Sequence, residues 1–365
     1  MKIKDVRYEV YFHEQPSAPR VHRAGVPEPT GKKPFALMRI ITDDGIEGFA
    51  TEVFGYSNIT EPTTSVIKRE IVGRDPLDRE WIWQRLWYLH GRGGAPVTLG
   101  ALSAVDIALW DIAGKALGQP IYKLLGGYRD KIKIYASSYG KLTIQEYVDE
   151  AVSCKEQGIA AYKIHPYWGI GEKDIEICRA VRKAVGDDMK LMFDPAGRYN
   201  REEALWVGKE LDKLNFYWFE LPVQDHDIEG LVMLREKLDV PICSTETPLR
   251  GMYSIPEYLL RRACDIVRCD TRFHGGITPC KKIADTCNAF GMQCELHGWA
   301  CNISNLHVEC AAKNCEFHEM SWPEERYGLK EYPVIDDEGY IHAPQKPGLG
   351  IEIDFESLGE PVASY

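Results

Sequence analysis

The sequence contains no basic block. Its Lys and Arg residues are scattered through 365 residues whose formal net charge is −11. That disfavours nucleic acid as the main partner, because phosphate binding needs a positive footprint. No uninterrupted apolar run approaches the ~20 residues a membrane helix requires, so no membrane partner is expected. Met1-Lys2-Ile3-Lys4 leads into alternating charge without an apolar signal segment, and the expected location is the cytoplasm. The 11 cysteines include no C-x-x-C pair and read as reduced packing residues. The glycosylation sequons at Asn58 and Asn302 are then idle. Gly169-Ile-Gly171 lacks the third glycine of a dinucleotide-binding turn.

What is present is an ordinary globular composition, 44% hydrophobic and 27% charged. The first part reads as α+β. Strand-like patterns cover 2–12 and 35–42, and a shorter one runs from Glu47 to Val53 after the turn Asp43-Asp44-Gly45. A polar loop over 13–34 joins the first two. Helical patterns follow over 62–72, 76–89 with Pro76 at its start, and 99–118 with Gly118 as its stop.

After Gly126-Gly127 short apolar strands alternate with amphipathic helices. The strands are expected at 131–137, 160–165, 190–194, 216–220, 240–244, 265–269, 292–297 and 316–320. Eight such units imply a closed parallel barrel. The expected first strand, Lys131–Ser137, holds no His-x-His, which argues against an amidohydrolase-type barrel.

Charged residues interrupt the apolar runs at strand ends. They are Lys163 and His165, then Asp194, Glu220, Glu246, Asp270, His297 and Glu319; from 194 to 297 the intervals are 24–27 residues. One strand-helix unit has that length, so these side chains should meet at the C-terminal mouth, where barrel enzymes do their chemistry. A lone acid at a strand end is commonly a helix cap; a series in register is not explained that way. Three clustered carboxylates repel unless a cation sits among them. Asp194, Glu220 and Glu246 offer only oxygen, which favours Mg²⁺ over zinc.

The motif Ser103-Ala-Val-Asp-Ile-Ala-Leu-Trp-Asp-Ile-Ala-Gly-Lys115, followed by Gly118-Gln-Pro-Ile-Tyr-Lys-Leu-Leu-Gly-Gly127, together with the charged strand ends, resembles the mandelate racemase group of the enolase superfamily. The resemblance implies an α/β fold: a (β/α)7β modified TIM barrel behind an N-terminal α+β capping domain. The expected division is 1–127 for the cap, 128–325 for the barrel, and 326–365 for a segment packing back on the cap. It implies Asp194, Glu220 and Glu246 as Mg²⁺ ligands and Asp270 with His297 as the general base. It further implies Lys163 beside the substrate carboxylate, a protonated Glu319 donating to an enolate oxygen, and a homo-oligomer. Glu316 lies earlier on the same strand and is set aside.

Where the group usually carries Lys-x-Lys, this chain has Lys163-Ile-His165. His165 is read as a polar contact, a weak base or an acid for a leaving group, and the substitution weakens a two-base racemase reading. The function expected is therefore a dehydratase that removes the α-proton of an acid sugar and expels the β-hydroxyl, giving a 2-keto-3-deoxy acid. Racemisation or epimerisation through the same enediolate is the alternative, and a non-catalytic carboxylate-binding descendant is the alternative of another class. His22 and Arg23 in the polar loop, with Tyr139 and Tyr167 after strand ends, are the candidate substrate contacts.

Overall fold

The computed structural model describes residues 1–14, 32–51, 59–91, 97–166, 169–247, 251–298, 302–322 and 328–365. Strands β1 (Ile3–Glu14), β2 (Lys32–Thr42) and β3 (Glu47–Ala50) form an antiparallel sheet. β1 and β2 pair from Ile3 opposite Thr42 to Glu14 opposite Lys32. The ladder outruns the apolar pattern at both strands because its bonds are backbone bonds. Helices α1 (Glu61–Ile71), α2 (Arg79–His90) and α3 (Leu99–Leu117) follow. α2 starts a turn later than Pro76 suggested. The Asp75 carboxylate accepts from Leu77 N at 2.9 Å and its carbonyl from Asp78 N at 3.1 Å, so Pro76 belongs to a turn.

α3 is buried on most of its circumference. Thr98 Oγ1 accepts from Ala101 N at its start, and Gly118 closes it at φ +65°, a conformation open to glycine. From its middle, the Asp111 carboxylate accepts from Phe49 N and Leu349 N, each at 2.9 Å, tying sheet, helix and C-terminal segment together.

After the short α4 (Ile121–Leu124) come eight parallel strands. They are β4 (Lys131–Ser138), β5 (Ala161–Ile164), β6 (Lys190–Phe193), β7 (Trp218–Glu220), β8 (Ile242–Ser244), β9 (Ile266–Cys269), β10 (Gln293–Leu296) and β11 (Phe317–Trp322). Between them run α5 (Ile144–Glu156), α6 (Gly171–Val185), α7 (Arg201–Lys213), α8 (Ile228–Lys237), α9 (Ile255–Arg261), α10 (Ile277–Ala289) and α11 (Ile303–Ala311). This is the expected (β/α)7β barrel. The strand order is β10-β9-β8-β7-β6-β5-β4-β11. Among the described residues no backbone ladder joins β10 to β11. Instead the Glu295 carboxylate accepts from Glu316 N at 2.8 Å and Phe317 N at 3.1 Å, and Cys294 N donates to Asn314 O at 2.9 Å.

The C-terminal segment touches both parts. β12 (Tyr340–His342) pairs with β4; after α12 (Phe355–Leu358), β13 (Ala363–Ser364) pairs with β1. The ten described cysteines are all free and buried, as expected of packing residues. No helix among the described residues is long and apolar enough to cross a membrane.

Candidate active site

Side chains alternate between the two faces of a strand, and that alternation builds the site. Tyr135, Ala161, Met192, Trp218, Cys243, Ile266 and Phe317 point inward and plug the barrel. Two residues further along their strands, the same parity turns Lys163, Asp194, Glu220, Arg268 and Glu319 inward, and one more step brings Asp270. His297 stands after β10. All are buried.

Glu246 breaks the parity. Counting from Cys243, Thr245 should face inward and Glu246 away. Thr245 has φ +86°, a value rarely adopted by a β-branched residue and costing ~1–3 kcal/mol. That turn brings Glu246 to the other acids: one carboxylate oxygen each from Asp194, Glu220 and Glu246 lie within 4.8 Å of one another. Similar backbone flanks the other two, with φ +55° at Ala196 and +41° at Leu221. Asp225 holds the Thr245 bend, accepting from Ser244 Oγ at 2.6 Å, Thr245 N at 2.7 Å and Thr247 N at 2.8 Å.

Lys163 Nζ lies 3.1 Å from both Glu220 oxygens, 2.7 Å from Glu319 Oε1 and 3.9 Å from Asp194 Oδ2. Burial favours loss of its charge, but Glu220 and Glu319 outweigh that and hold its pKa above the usual lysine value. Arg268 completes the floor: Nε is 2.8 Å from Glu220 Oε1, and Nη2 donates to Tyr135 Oη at 2.7 Å and to Glu319 Oε2. Burial raises the Glu319 pKa, but Lys163 and Arg268 overcome it and keep the group far below the normal range. Glu319 also accepts from Gly298 N at 2.7 Å. With Lys163, Arg268 and Gly298 all turned towards it, Glu319 sits as an acceptor in this arrangement. Glu316 lies apart, paired with Lys190 and Tyr217.

His297 Nδ1 is 2.8 Å from Asp270 Oδ2. The carboxylate accepts, so the Nδ1 tautomer carries the proton and Nε2 keeps its lone pair. Nε2 has no hydrogen-bond partner among the described residues and lies 3.5 Å from Glu246 Oε1. His165 Nδ1 is 2.7 Å from Ser138 O, and its Nε2 is 2.8 Å from Asp194 Oδ2. The Nδ1 contact is a hydrogen bond to the carbonyl, whereas the Nε2 contact is one of proximity to the acid.

The structure thus gathers Lys163, His165, Asp194, Glu220, Glu246, Asp270, His297 and Glu319. Tyr139 is buried just after β4. His22, Arg23 and Tyr167 lie outside the described residues. Two residues escaped the sequence reading: Arg268 and Arg272. The signal for Arg268 was a cation inside the apolar run Ile-Val-Arg-Cys, on the same parity as Asp270. Arg272 lies in a loop and has no such periodic mark.

Five carboxylates here (Asp194, Glu220, Glu246, Asp270 and Glu319) face three cations, Lys163, Arg268 and Arg272. Histidines aside, two negative charges remain uncompensated in a buried site, which is costly. One divalent cation cancels them, and an all-carboxylate donor set selects a hard one such as Mg²⁺.

Comparison with known proteins agrees with this architecture. Residues 146–358 match the family described as enolase C-terminal domain-like, and residues 12–126 match the mandelate racemase / muconate lactonizing enzyme N-terminal domain. The chain is 33% identical over 330 residues to arabinonate dehydratase of Saccharolobus solfataricus, spanning 87% of this chain and 88% of that one. It is 30% identical over 349 residues to D-galactarolactone cycloisomerase of Agrobacterium fabrum, spanning 90% and 91%. The crystal structure of D-glucarate dehydratase from Agrobacterium tumefaciens complexed with magnesium superposes with a TM-score of 0.88 at 33% identity, over 100% of both chains.

Proposed function

The chain belongs to the mandelate racemase / muconate lactonizing enzyme family of the enolase superfamily, and from that premise we propose that it is a Mg²⁺-dependent acid-sugar dehydratase. Relatives named as dehydratases of arabinonate, D-gluconate and D-galactonate support a hydro-lyase. The observation that carries the reading is the His297 Nε2 lone pair, fixed by Asp270 and open beside the Asp194–Glu220–Glu246 cluster.

Asp194, Glu220 and Glu246 would hold the Mg²⁺, which supplies Lewis-acid stabilisation of enediolate charge when bound. The remaining work falls to the chain. His297 Nε2 takes the α-proton of an aldonate or aldarate, and the C–H electrons move into the enediolate. Asp270 steadies the resulting imidazolium; such a base contributes ~10²–10⁴-fold. Lys163, fixed in its charged state, adds positive potential where the substrate carboxylate sits. His165 then gives a proton to the β-hydroxyl as the C–O bond breaks, and water leaves. The enol tautomerises to a 2-keto-3-deoxy acid. We read 1–127 as the cap that closes the site, 128–325 as the barrel that carries it and 326–365 as the segment that braces both.

Epimerisation would need a second base poised like His297. His165, with Nδ1 held by Ser138 O and Nε2 2.8 Å from the Asp194 carboxylate, is not poised like His297, so dehydration is favoured. A stereochemically diverse set of aldonates and aldarates with Mg²⁺, scored for 2-keto acid formation, tests the reading. Turnover of at least one with loss of water is expected; α-epimers without 2-keto acid would overturn it.

A further inference from the structure

We propose that Arg272 is a positioning residue that locks the Asp270 carboxylate onto His297, making the base a three-residue unit rather than a dyad. The inference rests on the reading of His297 as the base.

Arg272 follows β9 in the turn that leads to α10. Its backbone N donates to Asp270 Oδ1 at 2.7 Å, two residues back. Its side chain folds onto the same carboxylate. Nε lies 3.1 Å from both oxygens, and Nη2 is 2.7 Å from Oδ2. Nη2 also comes within 3.4 Å of His297 Nδ1. Asn302 Nδ2 approaches Oδ1 at 3.3 Å. Oδ2 thus has two neighbours, the charged guanidinium and the neutral imidazole.

The chemistry of this arrangement is geometric. A carboxylate alone turns easily about its terminal torsion, which is broad for an sp³–sp² bond. A guanidinium fork fixes a carboxylate plane because its donors are rigid and planar. With the plane fixed, Oδ2 meets Nδ1–H in line and Nε2 keeps its direction into the site. The clamp is itself held from the cap: Ser103 Oγ, in α3, donates to Arg272 O at 2.8 Å. In the same turn, the ring of Phe273 stacks on His297 with centroids 5.8 Å apart.

An arginine beside a base in an acid-binding site invites a different role, contact with the substrate carboxylate. Arg272 is 5% exposed and two of its side-chain nitrogens are committed to Asp270. Its loss should therefore act on kcat and not on KM.

The test uses full-length Arg272→Met and Arg272→Lys with the acid sugar that the parent enzyme dehydrates best, and His297→Asn as a reference. A loss of ~10²-fold in kcat is expected for Arg272→Met, the scale of a small misplacement at a reacting centre. KM and the calorimetric Mg²⁺ affinity should stay within twofold. Arg272→Lys keeps the charge without the fork and should recover only part of kcat. Histidine-¹⁵N spectra, with His297 assigned by its absence in His297→Asn, should show one Nδ1–H tautomer in the parent and a mixture in Arg272→Met. If Arg272→Met does not fold, the kcat and spectrum of Arg272→Lys decide the matter. An unchanged kcat with one tautomer, or a raised KM with unchanged kcat, overturns the proposal. If His297→Asn itself keeps full activity, it is the base assignment that fails, which the Arg272 variants alone would not reveal.

Discussion

Thr245 shows how one residue's backbone sets the chemistry. Simple alternation puts Glu246 on the wrong face of β8, and φ +86° at Thr245 brings it round. Strain of this kind persists only where the surroundings enforce it, and here Asp225 enforces it with bonds from Ser244, Thr245 and Thr247. Glu246→Gln keeps the shape and removes the charge. Mg²⁺ affinity, measured by calorimetry, should fall at least ~10-fold, and the rise in Tm that Mg²⁺ gives the parent should shrink with it. Equal affinity in the two proteins would remove Glu246 from the ligand set. The acids and His297 were legible in the sequence because they recur at or just after the ends of short apolar strands, at similar intervals of 24–27 residues. Arg268 was less legible because it lies one inward step below the strand ends, inside the apolar run of β9. Arg272 was illegible because it reaches Asp270 by folding back from a turn, and no periodicity records that.

At the scale of the element, strand positions in the barrel fell within a few residues of expectation. Each strand is a short apolar run and each helix has an amphipathic stripe, so period 2 and period 3.6 separate cleanly. The seam between β10 and β11 was not legible. It is closed by the Glu295 side chain where a ladder would otherwise run, and side-chain-to-backbone substitution leaves no pattern. Burial pushes the Glu295 pKa up to about 8, from a normal value of 4.5, against the backbone N–H groups of Glu316 and Phe317 that pull it down. The folded state therefore holds this proton across a window where the unfolded chain has released it. Stability from this group is full below about 4.5 and declines as pH rises towards about 8. Denaturant titrations at pH 5, 6.5 and 8 should show that decline in the parent and a flatter profile in Glu295→Gln. The variant loses one acceptor and should be ~1–3 kcal/mol less stable at pH 5. Parallel profiles for the two proteins would contradict the seam assignment.

For the whole molecule, the cap, barrel and C-terminal segment meet on α3, which the motif Ser103–Lys115 occupies. Ser103 reaches the Arg272 carbonyl, Asp106 accepts from Thr278 N at the start of α10, and Asp111 binds β3 and the C-terminal segment. The motif that marked the family in the sequence is thus the joint between the parts, and it reaches the proposed base through Arg272. Two uncompensated negative charges are buried beside that joint, and one divalent cation at the Asp194–Glu220–Glu246 cluster would balance them.

The most direct measurement is hydrogen exchange at the substrate α-carbon. The acid sugar turned over by the parent is incubated in D₂O with Mg²⁺ and either parent or His297→Asn, and the α-proton is followed by NMR beside 2-keto acid release. In the parent, loss of the α-proton and formation of 2-keto acid should proceed together; in His297→Asn both should fall by ~10²–10⁴-fold. Water loss at the parent rate in His297→Asn would show that another group removes the proton, and the account of this site would be wrong.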